Sequence, residues 1–174
     1  MKPSPPNLLL ADKFKGSGLQ IIFVTATSKF PSWLEEINID YTRKISFWFK
    51  TEIKNLNTKS VGRDSKEHKI KIESEKFLKF IEKTDYVVLC DEKGKVLKSI
   101  QFAQSLERIF QTGKKRLVFI IGGAYGVTPE LKERADLVLS LSSLTFNHHV
   151  AFAVLLEQVY RGLTIIKGIK YHNE

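Results

Sequence analysis

The chain has 174 residues, 43% of them hydrophobic, and a net charge of +9 from 28 Lys plus Arg against 19 Asp plus Glu. That length suits one domain burying roughly 70% of its unfolded surface, and the longest unbroken apolar run, Val150 to Leu156, is far short of the roughly 20 residues of a bilayer span. A soluble protein of the reducing cytoplasm, with no membrane partner, is expected: Leu8 to Ala11 is too short for a signal-peptide core, and the single cysteine, Cys90, can form neither an internal disulfide nor a cysteine metal cluster.

Residues 1–18 carry Pro3, Pro5 and Pro6 with Gly16 and Gly18 and read as an extension outside the core, so the fold is expected to begin near Leu19 and to occupy 19–174 as a single domain. Gln20 to Val24 reads as a buried strand. Pro31 opens a helix running to about Lys44, and Phe47 to Ile53 alternates like a second strand. After a polar loop, Ser65 or Ser74 caps a helix whose apolar face is Phe77, Leu78 and Ile81. Tyr86 to Cys90 reads as a strand ending in a turn over Asp91 to Gly94. Ser99 to Thr112 is an amphipathic helix with Phe102, Leu106, Ile109 and Phe110 inward and Gly113 as its stop. Leu117 to Ile121 and Leu137 to Leu141 are strands, with a short helix from Pro129 to Arg134 between them. The last helix, about Asn147 to Gly162, is apolar on nearly every side over Val150 to Leu156 and so needs more than one covering partner, which suggests a subunit interface. Alternating strands and helices predict an α/β fold, a mostly parallel sheet with helices on both faces.

Two of these strands end in loops suited to a ligand. Gly122 and Gly123 expose backbone amides, and Ser142, Ser143 and Thr145 add hydroxyls. A dinucleotide fingerprint would place its glycines after the first strand, and here they follow the fourth. His148 and His149 lack the further ligands that a metal site requires, so no metal is expected. Glu157 and Arg161, spaced i,i+4, fit a helix-surface ion pair or a functional pair equally well. Asp91-Glu92 and Ser142-Ser143 have no triad partners, which leaves a hydrolase unsupported. Arg43 to Lys71 holds nine basic residues against three acidic ones, and such an excess attracts phosphate backbones.

Several segments in order, Cys90-Asp-Glu-Lys-Gly-Lys95, Ile100-Gln-Phe-Ala103, Phe119-Ile-Ile-Gly-Gly-Ala-Tyr-Gly126, Arg134 to Phe146, Leu155 to Arg161 and the terminal Tyr171-His172, resemble the ribosomal RNA large subunit methyltransferase H family, of the SPOUT class, over about residues 19–174. The resemblance implies a trefoil knot in the C-terminal half, a homodimer, and an S-adenosylmethionine pocket formed by the knotted loops. Carried over by position, the cofactor contacts are Cys90, Gly122, Leu141, Ser142, Ser143, Leu144, Thr145 and Phe146. The implied reaction is methylation of N3 of a pseudouridine in large-subunit (23S) rRNA, on assembled or nearly assembled ribosomes. His148, Arg161, Tyr171 and His172 are candidates for catalysis or RNA contact, unranked. The sequence departs from the commoner family pattern at Tyr125, Asn147, Phe152 and Lys170, where Asp, Pro, Arg and Pro are frequent; loss of an arginine at 152 is expected to weaken one phosphate contact. The alternatives are a catalytically silent RNA- or ribosome-binding module and a nucleotide-dependent oxidoreductase.

Overall fold

A computed structural model describes residues 18–27, 29–57 and 65–171; the expected extension over 1–18 lies, but for Gly18, outside the described residues. The elements run β1 (Gln20–Thr25), α1 (Ser32–Ser46), β2 (Lys50–Asn55), α2 (Lys66–Phe80), β3 (Tyr86–Val96), α3 (Ser99–Phe110), β4 (Arg116–Ile121), α4 (Pro129–Arg134), β5 (Leu137–Ser140) and α5 (His148–Ile166). They form one five-stranded sheet in the order β2-β1-β4-β3-β5. Every pairing is parallel.

Alternation along the central strands explains the two layers of helices. Ile21 and Phe23 of β1, with Leu117, Phe119 and Ile121 of β4, point to one face, where Leu34, Leu106, Phe152 and Leu155 from α1, α3 and α5 cover them. Ile22, Val24, Val118 and Ile120 point to the other, covered by Phe77 of α2 and Leu131 of α4. Both faces of the inner strands are therefore buried, which is why they read as continuous apolar runs rather than alternating ones. Phe23 and Phe119 are cross-strand partners with ring centroids 5.3 Å apart.

Three boundaries differ from the sequence expectation, and the open choice of cap for α2 is settled. Helix α1 continues to Ser46, and Trp48 and Phe49 donate N–H bonds back to Ile45 O at 3.0 and 3.1 Å, so the aromatic run Phe47 to Phe49 is the turn that closes the helix and β2 starts only at Lys50. Buried Phe49 belongs to the core on the α1 side. Ser65, not Ser74, caps α2, its Oγ accepting from His68 N at 3.2 Å. Ser74 sits inside that helix, buried, where it accepts from Thr128 N at 2.9 Å. Helix α5 runs about a turn past Gly162, and Asn147 is its cap, accepting from His149 N at 2.9 Å. By length and composition α5 is also apolar enough to cross a membrane; its Phe152, Leu155, Leu156, Val159 and Leu163 are spent on the core beneath the sheet.

The third difference shapes the site. Asp91 to Gly94 is not a terminal turn but an outward bulge in a strand that continues to Val96, so that Cys90 and Lys95 both face Leu139 of β5. Gly94 closes the bulge against β5, where a Cβ would lie 2.6 Å from the Leu139 carbonyl carbon. Backbone cannot yield as a side-chain tip can, so Gly94→Ala is expected to destabilise the protein by about 1–3 kcal/mol. Urea denaturation measures this, and an unchanged midpoint would contradict so close an approach.

Candidate functional site

A cavity of about 450 Å³ opens beyond the C-terminal ends of β4 and β5, beside the bulge of β3. Parallel sheets bind ligands at this edge, because loops leaving adjacent strands there diverge around a crevice. Three loops wall it. The β3 bulge contributes Cys90 to Lys93, the segment after β4 contributes Gly122 to Val127, and the segment after β5 contributes Leu141, Ser142 and Leu144 to Phe146, with His148 of α5 beside them.

Each wall is braced. On the bulge, Asp91 accepts from Lys93 N at 2.9 Å and pairs with Lys132 of α4 at 2.7 Å. In the glycine segment, Gly126 N donates to Gly123 O at 3.2 Å and Gly126 takes a φ of 88°, which closes a tight turn. Helix α2 backs that turn: the Glu73 carboxylate accepts from Gly123 N–H, and Ser74 holds Thr128 N. After β5, Ser140 Oγ donates to Ser142 O and Leu144 N donates to Ser142 Oγ, both at 2.9 Å. Thr145 Oγ1 reaches Glu92 Oε2 at 3.2 Å, tying this segment to the bulge.

The structure thus brings together Cys90, Gly122, Leu141, Ser142, Leu144, Thr145 and Phe146 on one cavity wall system. Ser143 is exposed beside them, outside the lining. The glycines act differently from the sequence expectation. A Cβ at Gly122 would meet Val127 Cγ1 at 2.7 Å, and one at Gly123 would strike the Glu73 carboxylate. Both glycines are therefore demanded first by packing within the protein. Glu73, Glu92 and Lys132 were not legible as site residues, because the turn, bulge and helix that carry them meet only in three dimensions.

The four catalytic candidates are divided. His148 lines the cavity. Arg161 lies thirteen residues further along α5, about 20 Å at about 1.5 Å per residue. There it pairs with Glu157 at 2.6 Å, as the i,i+4 spacing allows, and its guanidinium lies 4.9 Å from the centre of the Tyr171 ring. Tyr171 also donates to Glu157 Oε1 at 3.3 Å and packs edge-on against Tyr160. His172 lies outside the described residues. At the departure from the commoner arginine, Phe152 is buried against Phe30 and Phe23, ring centroids 5.5 and 6.4 Å away, so in this chain the position is used in the core.

Proton affinities rank the candidates. Burial, with the phenol of Tyr41 and the carboxylate of Glu157 nearby, pushes Tyr171 up to about 12, and burial pushes the Cys90 thiol up to about 12. Both stay protonated near neutrality. Burial, reinforced by the adjacent His149, holds His148 below the ordinary imidazole range, so it is neutral at pH 7 and free to accept a proton. The sign for stability follows. The unfolded chain takes up a proton near about pH 6.5 that the native site resists, so stability falls as the pH drops through that value. His148→Gln is expected to flatten the fall in Tm between about pH 7.5 and 5.5; an unaltered slope would contradict the burial. Cys90 is expected to resist iodoacetamide at about pH 8, where a free thiol near its ordinary pKa reacts. Mass spectrometry reads the adduct, and rapid labelling of the folded protein would count against this environment.

A family profile described as "Predicted SPOUT methyltransferase" matches residues 19–172. Similar proteins include the ribosomal RNA large subunit methyltransferase H of Bdellovibrio bacteriovorus, 48% identical over 153 residues that cover 88% of this chain and 97% of the relative. Those of Caldicellulosiruptor saccharolyticus and Syntrophotalea carbinolica are 40% and 36% identical over 141 residues, covering 80% and 81% of this chain and 91% and 90% of the relatives. With the profile spanning nearly the whole fold and relatives this close, the chain belongs to the SPOUT methyltransferase family.

Proposed function

We propose that the protein transfers a methyl group from S-adenosylmethionine to N3 of a pseudouridine in large-subunit rRNA, in the cytoplasm and on assembled or nearly assembled ribosomes. The observation that carries this reading is the convergence of the glycine turn, the β3 bulge and the hydroxyl-bearing β5 segment on one cavity, with an uncharged imidazole on its wall. The relatives' printed name supports rRNA as the substrate class, and the net charge of +9 suits a phosphate-rich partner.

The residues present fit the donor. A volume of about 450 Å³ lies within the roughly 300–1,000 Å³ of small-molecule sites. Ile121, Leu141, Leu144 and Phe146 offer apolar surface for a purine, while the acidic Asp91 and Glu92 suit a cationic ligand bearing ribose hydroxyls. In this reading Cys90, as a neutral thiol, Gly122, Leu141, Ser142, Leu144, Thr145 and Phe146 hold the donor, and Ser143 supports the path of the loop. When bound, the donor supplies an electrophilic methyl on a cationic sulfonium. The protein aligns that methyl with the ring nitrogen and excludes water, and alignment alone contributes several kcal/mol, roughly 7–11 in the best intramolecular cases. His148 would take the N3 proton as the N–C bond forms and the methyl–sulfur bond breaks, the leaving group departing as a neutral thioether.

Arg161 lies about 20 Å along α5 from His148 and Tyr171 packs against Arg161, so neither joins His148 within one chain; His172 is assigned to the same group. They act, in our reading, from the second copy of a homodimer, on the RNA rather than on the donor. A trefoil-knot passage of the chain after β5 is part of the same proposal, as is a single catalytic domain over 19–174 preceded by a separate extension.

Isothermal titration with S-adenosylhomocysteine tests the donor half: binding is expected, and none at millimolar ligand would end the reading. Gly122→Val should drive a branched side chain into Val127, displace the turn and cost at least about tenfold in that affinity, roughly 1.4 kcal/mol, with the fold intact by circular dichroism. Unchanged affinity would count against the assigned turn. His148→Ala is expected to lower kcat by about 10²–10⁴ while donor binding persists, and a pH–rate profile unaltered by the substitution would remove His148 as base. Mass spectrometry of rRNA from a deletion strain tests the product; an unchanged methylation pattern would favour a catalytically silent ribosome-binding module.

A further inference from the structure

Tyr125 has no role in the reading above, yet the fold presents it deliberately. It occupies the third position of the Gly123–Gly126 turn, whose closing bond and positive-φ glycine fix the backbone on either side. The turn is anchored from behind through Gly123 N–H to Glu73 and Thr128 N to Ser74. A large aromatic ring on so constrained a loop is nonetheless 50% exposed. It lines the cavity as well, which puts it at the mouth. Two ammonium groups from α2 accompany it: Lys66 Nζ lies 5.7 Å and Lys69 Nζ 5.9 Å from the ring centre. Lys66 is exposed and also lines the cavity.

An aromatic ring with two flexible cations over it, on a pinned turn at a cavity mouth, matches a nucleotide in single-stranded RNA. The base has a π-face to stack and its phosphates are anionic. Lysine suits the second task, being a mobile point charge with three donors. We propose that Tyr125, Lys66 and Lys69 form a seat for an unpaired nucleotide next to the one entering the cavity, with its base stacked on Tyr125 and its phosphate held by the two lysines. This rests on the methyltransferase reading of the cavity and adds to it a substrate-gripping residue at a position where this sequence departs from the commoner Asp. Duplex RNA cannot use such a seat, because its bases are stacked on one another.

The test uses the full chain and fluorescence anisotropy with a short fluorescein-labelled oligouridylate, a duplex RNA of equal length as counter-probe, and S-adenosylhomocysteine titration on every variant. Tyr125→Phe should keep the oligouridylate affinity, while Tyr125→Ala and Tyr125→Leu should each lose on the order of tenfold, with duplex binding unaffected. Lys66→Ala and Lys69→Ala should each reduce the slope of log affinity against log salt by about 0.7. Retained oligouridylate affinity in Tyr125→Leu, an equal loss for the duplex, or no affinity of the wild type for the oligouridylate would each overturn the seat while S-adenosylhomocysteine binding left the methyltransferase reading standing. A wild type that fails to bind S-adenosylhomocysteine removes that reading, and the seat with it, whatever Tyr125 does.

Discussion

The cavity depends on how the glycine turn is held. A backbone N–H at the end of a buried strand must find an acceptor, and Gly123 finds the Glu73 carboxylate, while Thr128 N finds Ser74 on the same helix. Burial raises the Glu73 pKa, and the Gly123 N–H, Lys69 and Lys76 oppose that rise. The carboxylate occupies the space where a Cβ of residue 123 would lie. Glycine at that position and an acid on α2 are two halves of one requirement. With the turn fixed to α2, the β5 segment can meet the β3 bulge across it through Thr145 and Glu92.

The candidate residues along α5 are spread over separate parts of the helix. Its first turn brings His148 to the cavity, its middle carries Phe152 and Leu155 into the core, and its last turns hold Glu157 and Arg161 against Tyr171. Arg161 is tied by a carboxylate and stacked on an aromatic ring, so its guanidinium is oriented before any ligand arrives. Such preorganisation suits a group that receives a phosphate or base edge. Among the described candidates, burial lowers the His148 pKa, whereas it raises that of Tyr171.

Much of this was legible in the sequence where one force acts alone. β1, β4 and α3 follow from apolar runs and a 3.6-residue period, and Gly113 stops α3 with a φ of 73°. Legibility failed where tertiary contacts compete. Phe47 to Phe49 alternates like a strand, yet hydrogen bonds to Ile45 O keep it in the turn that closes the helix. Asp91 to Gly94 has turn composition, but β5 recaptures the chain at Lys95 and converts the turn into a bulge. The eight positions expected to contact a donor came from resemblance, and seven of them line the cavity. Glu73 and Lys132 carry no local signal at all, since each matters only through a partner some fifty or forty positions away in the chain, Gly123 and Asp91.

The most direct measurement is a crystal structure of the protein grown with S-adenosylhomocysteine. Density for the ligand between the Gly122–Gly126 turn and Leu141 to Phe146, within reach of His148, is the result this account requires. Density at another edge of the sheet, with that cavity filled only by solvent, would contradict it.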